Sequence, residues 1–163
     1  MTPIGILLGH IVCKEGIKVH FTKIKIILDL KPLVNPKQVR VFLGHTGYYR
    51  KFIRYYSDMA YALEELLRDD KEFNWEEECH ISFEKLKIKL VEASILQFPN
   101  SSIKFHVHID ASGLAIGEIL TQPGEDGMDY PIVYSSTKLN KAERNYLTTK
   151  IDALGMVFAL QKY

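Results

Sequence analysis

The chain has 163 residues, 47% of them hydrophobic, enough to bury the core of one domain or of two small ones. Its net charge of +1 conceals an asymmetry: residues 1–60 carry ten Lys/Arg against three Asp/Glu, and residues 61–163 carry eleven against seventeen. Cys13 and Cys79 stand far apart without zinc-ligand spacing, and the apolar stretch at 4–10 is too short for a membrane span and lacks a cationic leader, so neither a disulfide framework nor a zinc site is indicated and a membrane-spanning or secreted protein is not expected. A reducing compartment, cytoplasmic or nuclear, fits. The basic half implies a polyanion partner, with two plainly solvated surfaces as the alternative.

In chain order, residues 4–13 and 16–19 are rich in strand formers and are separated by Lys14-Glu15-Gly16, which predicts a β-hairpin. A hairpin alone is marginal, so it must pack on something else. Thr22 is placed to cap a helix over 23–30, which Lys31-Pro32 ends. Asn35 as N-cap, Pro36 in the first helical position and Gln38 in the third form a capping box, and Val39, Phe42, Leu43 and Thr46 follow at helical spacing. The aromatic and basic run 48–56 comes next. Ser57 or Asp58 is placed to cap a third helix through Leu67, with Met59, Leu63, Leu66 and Leu67 as its seam.

The charged stretch Arg68-Asp69-Asp70-Lys71 is a candidate boundary between an α-rich basic part and an α/β acidic part. A helix is predicted over 76–92, with Ile81, Phe83, Leu86, Leu90 and Val91 as its apolar stripe and Glu76, Glu77 and Glu78 at the positive end of its dipole. After a break at 96–100, strands are predicted over 103–110, 114–122 and 131–135, then a helix over 140–162. Three consecutive strands and a helix give an antiparallel meander covered on one face, so the fold class is α+β.

Phe105, Val107 and Ile109 share one face of the strand 103–110, which turns Asp110 to the other face beside Ala111-Ser112-Gly113. A strand-end carboxylate suits metal chemistry or an ordinary turn. Two-metal phosphodiester hydrolysis needs several converging carboxylates, and Asp152 on the terminal helix is a second candidate, its alternative being a solvated helix face. Magnesium is the cation for such hard oxygen ligands. His106 and His108 share the polar face with Asp110 but lack an identified third ligand, and Glu125, Asp126 and Asp129 read as a solvated turn. In the segment 48–56, Arg50, Lys51 and Arg54 can meet phosphates while Tyr48, Tyr49, Tyr55 and Tyr56 stack on bases. Helical spacing equally turns Tyr49, Phe52, Ile53 and Tyr56 inward, and both readings stand.

The words LGHIVCKEGIKV at 8–19, FLGHTGYYRKFIRYYSDMA at 42–60, NWEEECHISFEKLKIKLVEASIL at 74–96, DASGLAIGEILTQ at 110–122 and PIVYSSTKLNKAERNY at 131–146 carry a resemblance that runs almost end to end. In order and spacing they resemble the polymerase-to-ribonuclease H region of gypsy-type long-terminal-repeat retrotransposon Pol polyproteins. The resemblance implies a palm remnant at 1–19, a helical thumb or connection at 20–72, and the first part of a ribonuclease H-like domain at 73–163. It implies RNA-directed DNA synthesis, a nucleotidyltransferase reaction, and endonucleolytic hydrolysis of the RNA strand of an RNA–DNA hybrid.

By the same resemblance Asp110 is the first magnesium ligand, and Asp152 stands where the family has a glutamate; Lys150 stands where it often has another. Glu118 replaces a small residue and reads as a surface substitution. The family's palm aspartates precede the matching region and two further nuclease aspartates follow it, so the resemblance implies weak Mg²⁺ binding and no turnover by this chain alone. A non-catalytic nucleic-acid-binding remnant, or a relic with no selected role, is the alternative. The partners implied are an RNA–DNA hybrid or other nucleic acid and the remainder of the polyprotein.

Overall fold

The structure is a computed structural model describing residues 4–68, 70 and 72–163; Asp69 and Lys71 of the expected linker, and the first three residues of the chain, lie outside the described residues. The chain opens with an antiparallel meander of β1 (Gly5–Leu7), β2 (His10–Cys13) and β3 (Gly16–Val19). The stretch 4–13 is therefore two strands and not one, because the chain reverses at Leu8-Gly9 with φ of 48° and 75°. Positive φ at both central residues matches the turn to the twist of the strands it joins.

The meander finds its support in two places. Ile17 N donates to Leu96 O at 2.8 Å and Leu96 N to Ile17 O at 3.0 Å. The buried His10 ring stacks on Tyr48 with centroids 5.2 Å apart and meets Phe52 at 5.3 Å.

Helix α1 (Phe21–Leu28) starts just after His20, which makes no side-chain cap bond, so Thr22 lies inside the first turn. Helix α2 (Pro36–Tyr48) begins as its capping residues dictate: Gln38 N donates to Asn35 Oδ1 at 2.9 Å. The return bond runs from Val34 N to Gln38 Oε1, one residue ahead of the cap. Helix α3 (Tyr56–Glu65) starts ahead of both expected caps, after Tyr55 in the left-handed region at φ 58°, ψ 35°. Ser57 is buried in its first turn, bonded across to a later strand instead of capping. Helix α4 (Glu77–Val91) turns Cys79, Ser82, Phe83, Leu86 and Leu90 inward, while Ile81 and Val91 are 42% and 56% exposed. The stripe is thus rotated from the expected one, because the i, i+3, i+4 series runs through Cys79 and Ser82. Phe83 anchors it, 4.7 Å from Phe42 between ring centroids, in a core with Ile24, Val39, Leu63 and Leu86.

The second sheet is the predicted meander, β4 (His106–Ala111), β5 (Ala115–Pro123) and β6 (Asp129–Lys138), in the order β4-β5-β6. Helix α5 (Thr148–Lys162) covers one face, packing Ile151, Leu154 and Phe158 over Ile109, Ala111 and Ile116. It starts later than residue 140, since a 3₁₀ turn over Glu143–Asn145 and extended backbone at Tyr146 and Leu147 come first. The opposite face receives α3. Ser57 N donates to Ser136 Oγ at 2.8 Å, Ser57 Oγ donates to Ser136 O at 3.1 Å, and Lys138 Nζ reaches Glu65 Oε1 at 3.0 Å. The helical half and the second sheet therefore share one packed interface, and the residues between α2 and α3 lie against the sheet face that carries Asp110.

Candidate functional site

On β4, Ile109 and Ala111 turn toward α5, and strand alternation sends Asp110, His106 and His108 to the other face. There Tyr55 Oη donates to Asp110 Oδ2 at 2.5 Å. Burial, with the bond to Asp110 next, holds the Tyr55 phenol above its ordinary range. Two residues on, Ser112 Oγ donates to Asp58 Oδ1 at 2.8 Å, so the turn after β4 is also tied to the first turn of α3.

His106 and His108 do acquire a third partner, one that sequence spacing leaves invisible. Asp129, at the start of β6, lies 2.9 Å by Oδ1 from His106 Nδ1 and 2.9 Å by Oδ2 from His108 Nε2. Hydrogen bonding from His106, then from His108 and Thr121, lowers the Asp129 carboxyl below its ordinary range. The pair of imidazoles thereby pins the β5–β6 turn onto β4. Asp126 serves that turn too, accepting from Tyr130 Oη at 2.7 Å and Met128 N at 3.0 Å.

Asp152 sits in α5 next to the buried Ile151, and its side chain is exposed. No hydrogen bond or ion pair among the described residues links it with Asp110. Both carboxylates have the hard oxygen chemistry that magnesium takes, but among the described residues no group of three or more His, Cys, Asp and Glu side chains is arranged to hold a metal ion. With Asp110 Oδ2 already engaged by Tyr55, the residues present do not assemble a magnesium site.

The basic run divides by position. Arg54 is exposed, its guanidinium 4.6 Å from the Tyr55 ring centroid. Arg50 is exposed as well but donates to Ser136 O at 2.7 Å, and Lys51 is half-buried over the Phe52 ring, with burial lowering its pKa. Of the tyrosines, Tyr49 and Tyr56 are core residues and Tyr48 is stacked on His10; burial raises the phenols of Tyr49 and Tyr56. The inward reading at helical spacing is the correct one for Tyr49, Phe52, Ile53 and Tyr56.

Glu118 corrects the sequence reading outright. It is 1% exposed, turned toward α5, with Oε2 accepting from Ser135 Oγ at 2.8 Å. Its place two residues after the core residue Ile116, on a strand of period two, is the signal that could have found it.

A helical segment leading into an antiparallel meander backed by a helix, with an aspartate at the end of the first strand, defines the class. The family described as the RNase H-like domain found in reverse transcriptase matches residues 75–163, and the chain belongs to it, as part of the reverse transcriptase–ribonuclease H region of a gypsy-type retrotransposon Pol polyprotein. It is 38% identical over 157 residues to the retrovirus-related Pol polyprotein from transposon 297 of Drosophila melanogaster, a match covering 96% of this chain and 14% of that polyprotein. The foamy viral protease-reverse transcriptase dRH in complex with double-stranded DNA has a similar fold, with a TM-score of 0.84 at 19% identity over 98% of this chain and 28% of that one. The foamy viral protein in complex with RNA/DNA hybrid gives a TM-score of 0.82, again at 19% identity, over 98% of this chain and 22% of its own.

Proposed function

We propose that this chain is the portion of a reverse transcriptase that joins polymerase to nuclease, that it holds an RNA–DNA hybrid along its basic helical half, and that by itself it neither polymerises nor cuts. In this reading residues 1–19 close the palm, 20–72 are thumb and connection, and 73–163 are the RNase H-like part.

One observation carries the reading. Of the ten Lys/Arg in residues 1–60, Lys18 is the only one that pairs with a carboxylate, Glu15, among the described residues. Charge left unneutralised by the fold meets phosphates with release of their condensed counterions. The foamy viral proteins of similar fold were solved with double-stranded DNA and with RNA/DNA hybrid, which supports a duplex as the ligand. Arg54, Arg50 and Lys51 are the contact set, with Arg50 and Arg54 exposed and Lys51 half-buried. The non-cutting part of the reading is supported by the Tyr55 hydroxyl, which already occupies Asp110 Oδ2, and by Asp152, an aspartate on the exposed face of α5 where the family has the longer glutamate.

Fluorescence anisotropy of a labelled hybrid against salt tests the binding. Affinity falls steeply with salt, and replacing Arg50, Lys51 and Arg54 together by Gln lowers the slope of log K against log salt by about two to three. An unchanged slope in the triple variant removes these residues from the interface. Incubating the same hybrid with Mg²⁺ or Mn²⁺ tests the rest: cleavage that vanishes in Asp110→Asn overturns the non-cutting reading.

A further inference from the structure

Asp110 is the carboxylate that sequence resemblance assigns to a metal, yet the structure gives it a different partner. We propose that the Tyr55 hydroxyl and a divalent cation compete for the Asp110 carboxylate, so that the segment joining α2 to α3 withholds this group from metal chemistry. The inference rests on the reading that the chain by itself does not cut.

Three features of the contact oppose a cation. The 2.5 Å bond from Tyr55 Oη to Asp110 Oδ2 is in the range of a charge-assisted O–H···O⁻ bond, and it draws negative charge off the group a metal would need. The Tyr55 ring lies against Gly117, where a Cβ would stand 2.5 Å from ring Cδ1 and 2.6 Å from Cε1. Gly117 is the register partner of Asp110 on β5, so the ring covers the sheet face directly beside the carboxylate and leaves less room there for a hydrated cation. The Arg54 guanidinium, stacked 4.6 Å from the centroid of that ring, adds a fixed positive charge to the same neighbourhood.

The contact is also held from both sides. Tyr55 adopts φ 58°, a conformation that costs a non-glycine residue about 1 kcal/mol or more and persists only when its surroundings impose it. Those surroundings are named: Ser57 is bonded to Ser136 on β6, and Asp58 accepts from Ser112 just beyond β4. Tyr55 therefore sits between a helix fixed to the sheet and a ring seated on Gly117, and its hydroxyl is delivered to Asp110 by the backbone and not by a freely turning rotamer. Asp110 Oδ1 has no protein partner among the described residues, which leaves a cation one oxygen to approach and makes competition measurable.

The test uses the full chain and Mn²⁺, with free ion followed by electron paramagnetic resonance. Tyr55→Phe keeps the ring over Gly117 and removes only the hydroxyl. It binds Mn²⁺ about tenfold more tightly than wild type, the size of one hydrogen bond to a charged group, and the gain disappears in Tyr55→Phe/Asp110→Asn. Unchanged or weaker Mn²⁺ binding by Tyr55→Phe overturns the proposal and makes Tyr55 a residue that orients the ligand instead. Urea unfolding gives a second readout independent of metal. The losses from Tyr55→Phe and Asp110→Asn are non-additive if the two groups bond, and additive losses reject the contact. Hydrolysis of a labelled hybrid by the wild-type chain would defeat the non-cutting reading alone, since competition is scored on Mn²⁺ affinity and stability.

Discussion

Glu118 on β5 stands opposite Ser135 on β6 beneath the C-terminal end of α5; the serine hydroxyl satisfies Oε2, while Oε1 is buried with no partner among the described residues. The Tyr163 hydroxyl lies 2.5 Å from the same Ser135 oxygen, so the serine keeps a hydrogen-bond partner if the carboxylate is removed. Among the described residues no Lys, Arg or His forms an ion pair with Glu118, and a buried group with an unmet oxygen opposes folding. Glu118→Leu, similar in volume and apolar like its neighbours Ile116 and Leu120, stabilises the chain by about 1 kcal/mol or more, read as a higher urea midpoint at unchanged slope. A lower midpoint would mean that the carboxylate has a favourable role the apolar replacement cannot supply.

Gly155 sets how closely α5 approaches the second sheet. A Cβ there would lie 2.6 Å from Ile109 Cγ2 and 3.1 Å from Ile116 Cγ2, both held by the packed sheet. Overpacking of this kind costs about 1–3 kcal/mol, more than the gain in helix propensity from Gly to Ala, which is about 1 kcal/mol. Gly155→Ala accordingly lowers the thermal midpoint, whereas an exposed glycine such as Gly44, with nothing within 4 Å of the added Cβ, does not suffer that clash. Equal destabilisation at both positions would show that packing under α5 is not the cause.

His10 makes the first sheet sensitive to acid. Burial, reinforced by Lys51, holds its imidazole below the ordinary value of 6.5, and its Nδ1 has no partner among the described residues. The unfolded chain takes up a proton near that ordinary value while the folded chain resists it. Stability is therefore full above 6.5 and declines as pH falls through the window beneath it. Unfolding followed from about pH 7.5 to about pH 5.5 shows this loss, and His10→Phe, which keeps the contacts to Tyr48 and Phe52 without the titrating group, flattens it. An identical pH slope in the variant would assign the effect to other groups.

Local chemistry was well legible. Asn35, Pro36 and Gln38 announce the start of α2 because a cap is made within four residues, and α2 begins there with Asn35 Oδ1 accepting from Gln38 N. Alternation along 105–110 separates the apolar face from Asp110 without reference to anything distant. The starts of α3 and α5 were not legible in the same way. Ser57 has a cap residue's chemistry, but its hydroxyl and backbone N–H are taken by Ser136, 79 residues away. The left-handed turn at Leu8 has no local signal, because leucine does not advertise that conformation; the following glycine and the pairing of β1 with β2 impose it.

The same division runs through the candidate site. Arg50, Lys51 and Arg54 fall in one short stretch of sequence and read as one basic patch, yet folding gives them different surroundings: a carbonyl on β6, the face of Phe52, and the ring of Tyr55. His106 and His108 share a face by strand periodicity, whereas Asp129 reaches them only once the β5–β6 turn has folded back.

The sequence by itself determined the family, the α+β class, the second meander with its covering helix and the face on which Asp110 lies, because motif order, capping and two-residue alternation are encoded over short stretches of chain. Only the tertiary structure decided that Tyr55 meets Asp110, that Glu118 is buried and that α3 lies against the sheet. Those pairings join residues from 17 to 79 positions apart, and their partners are chosen by the packing of whole elements, which no local pattern records.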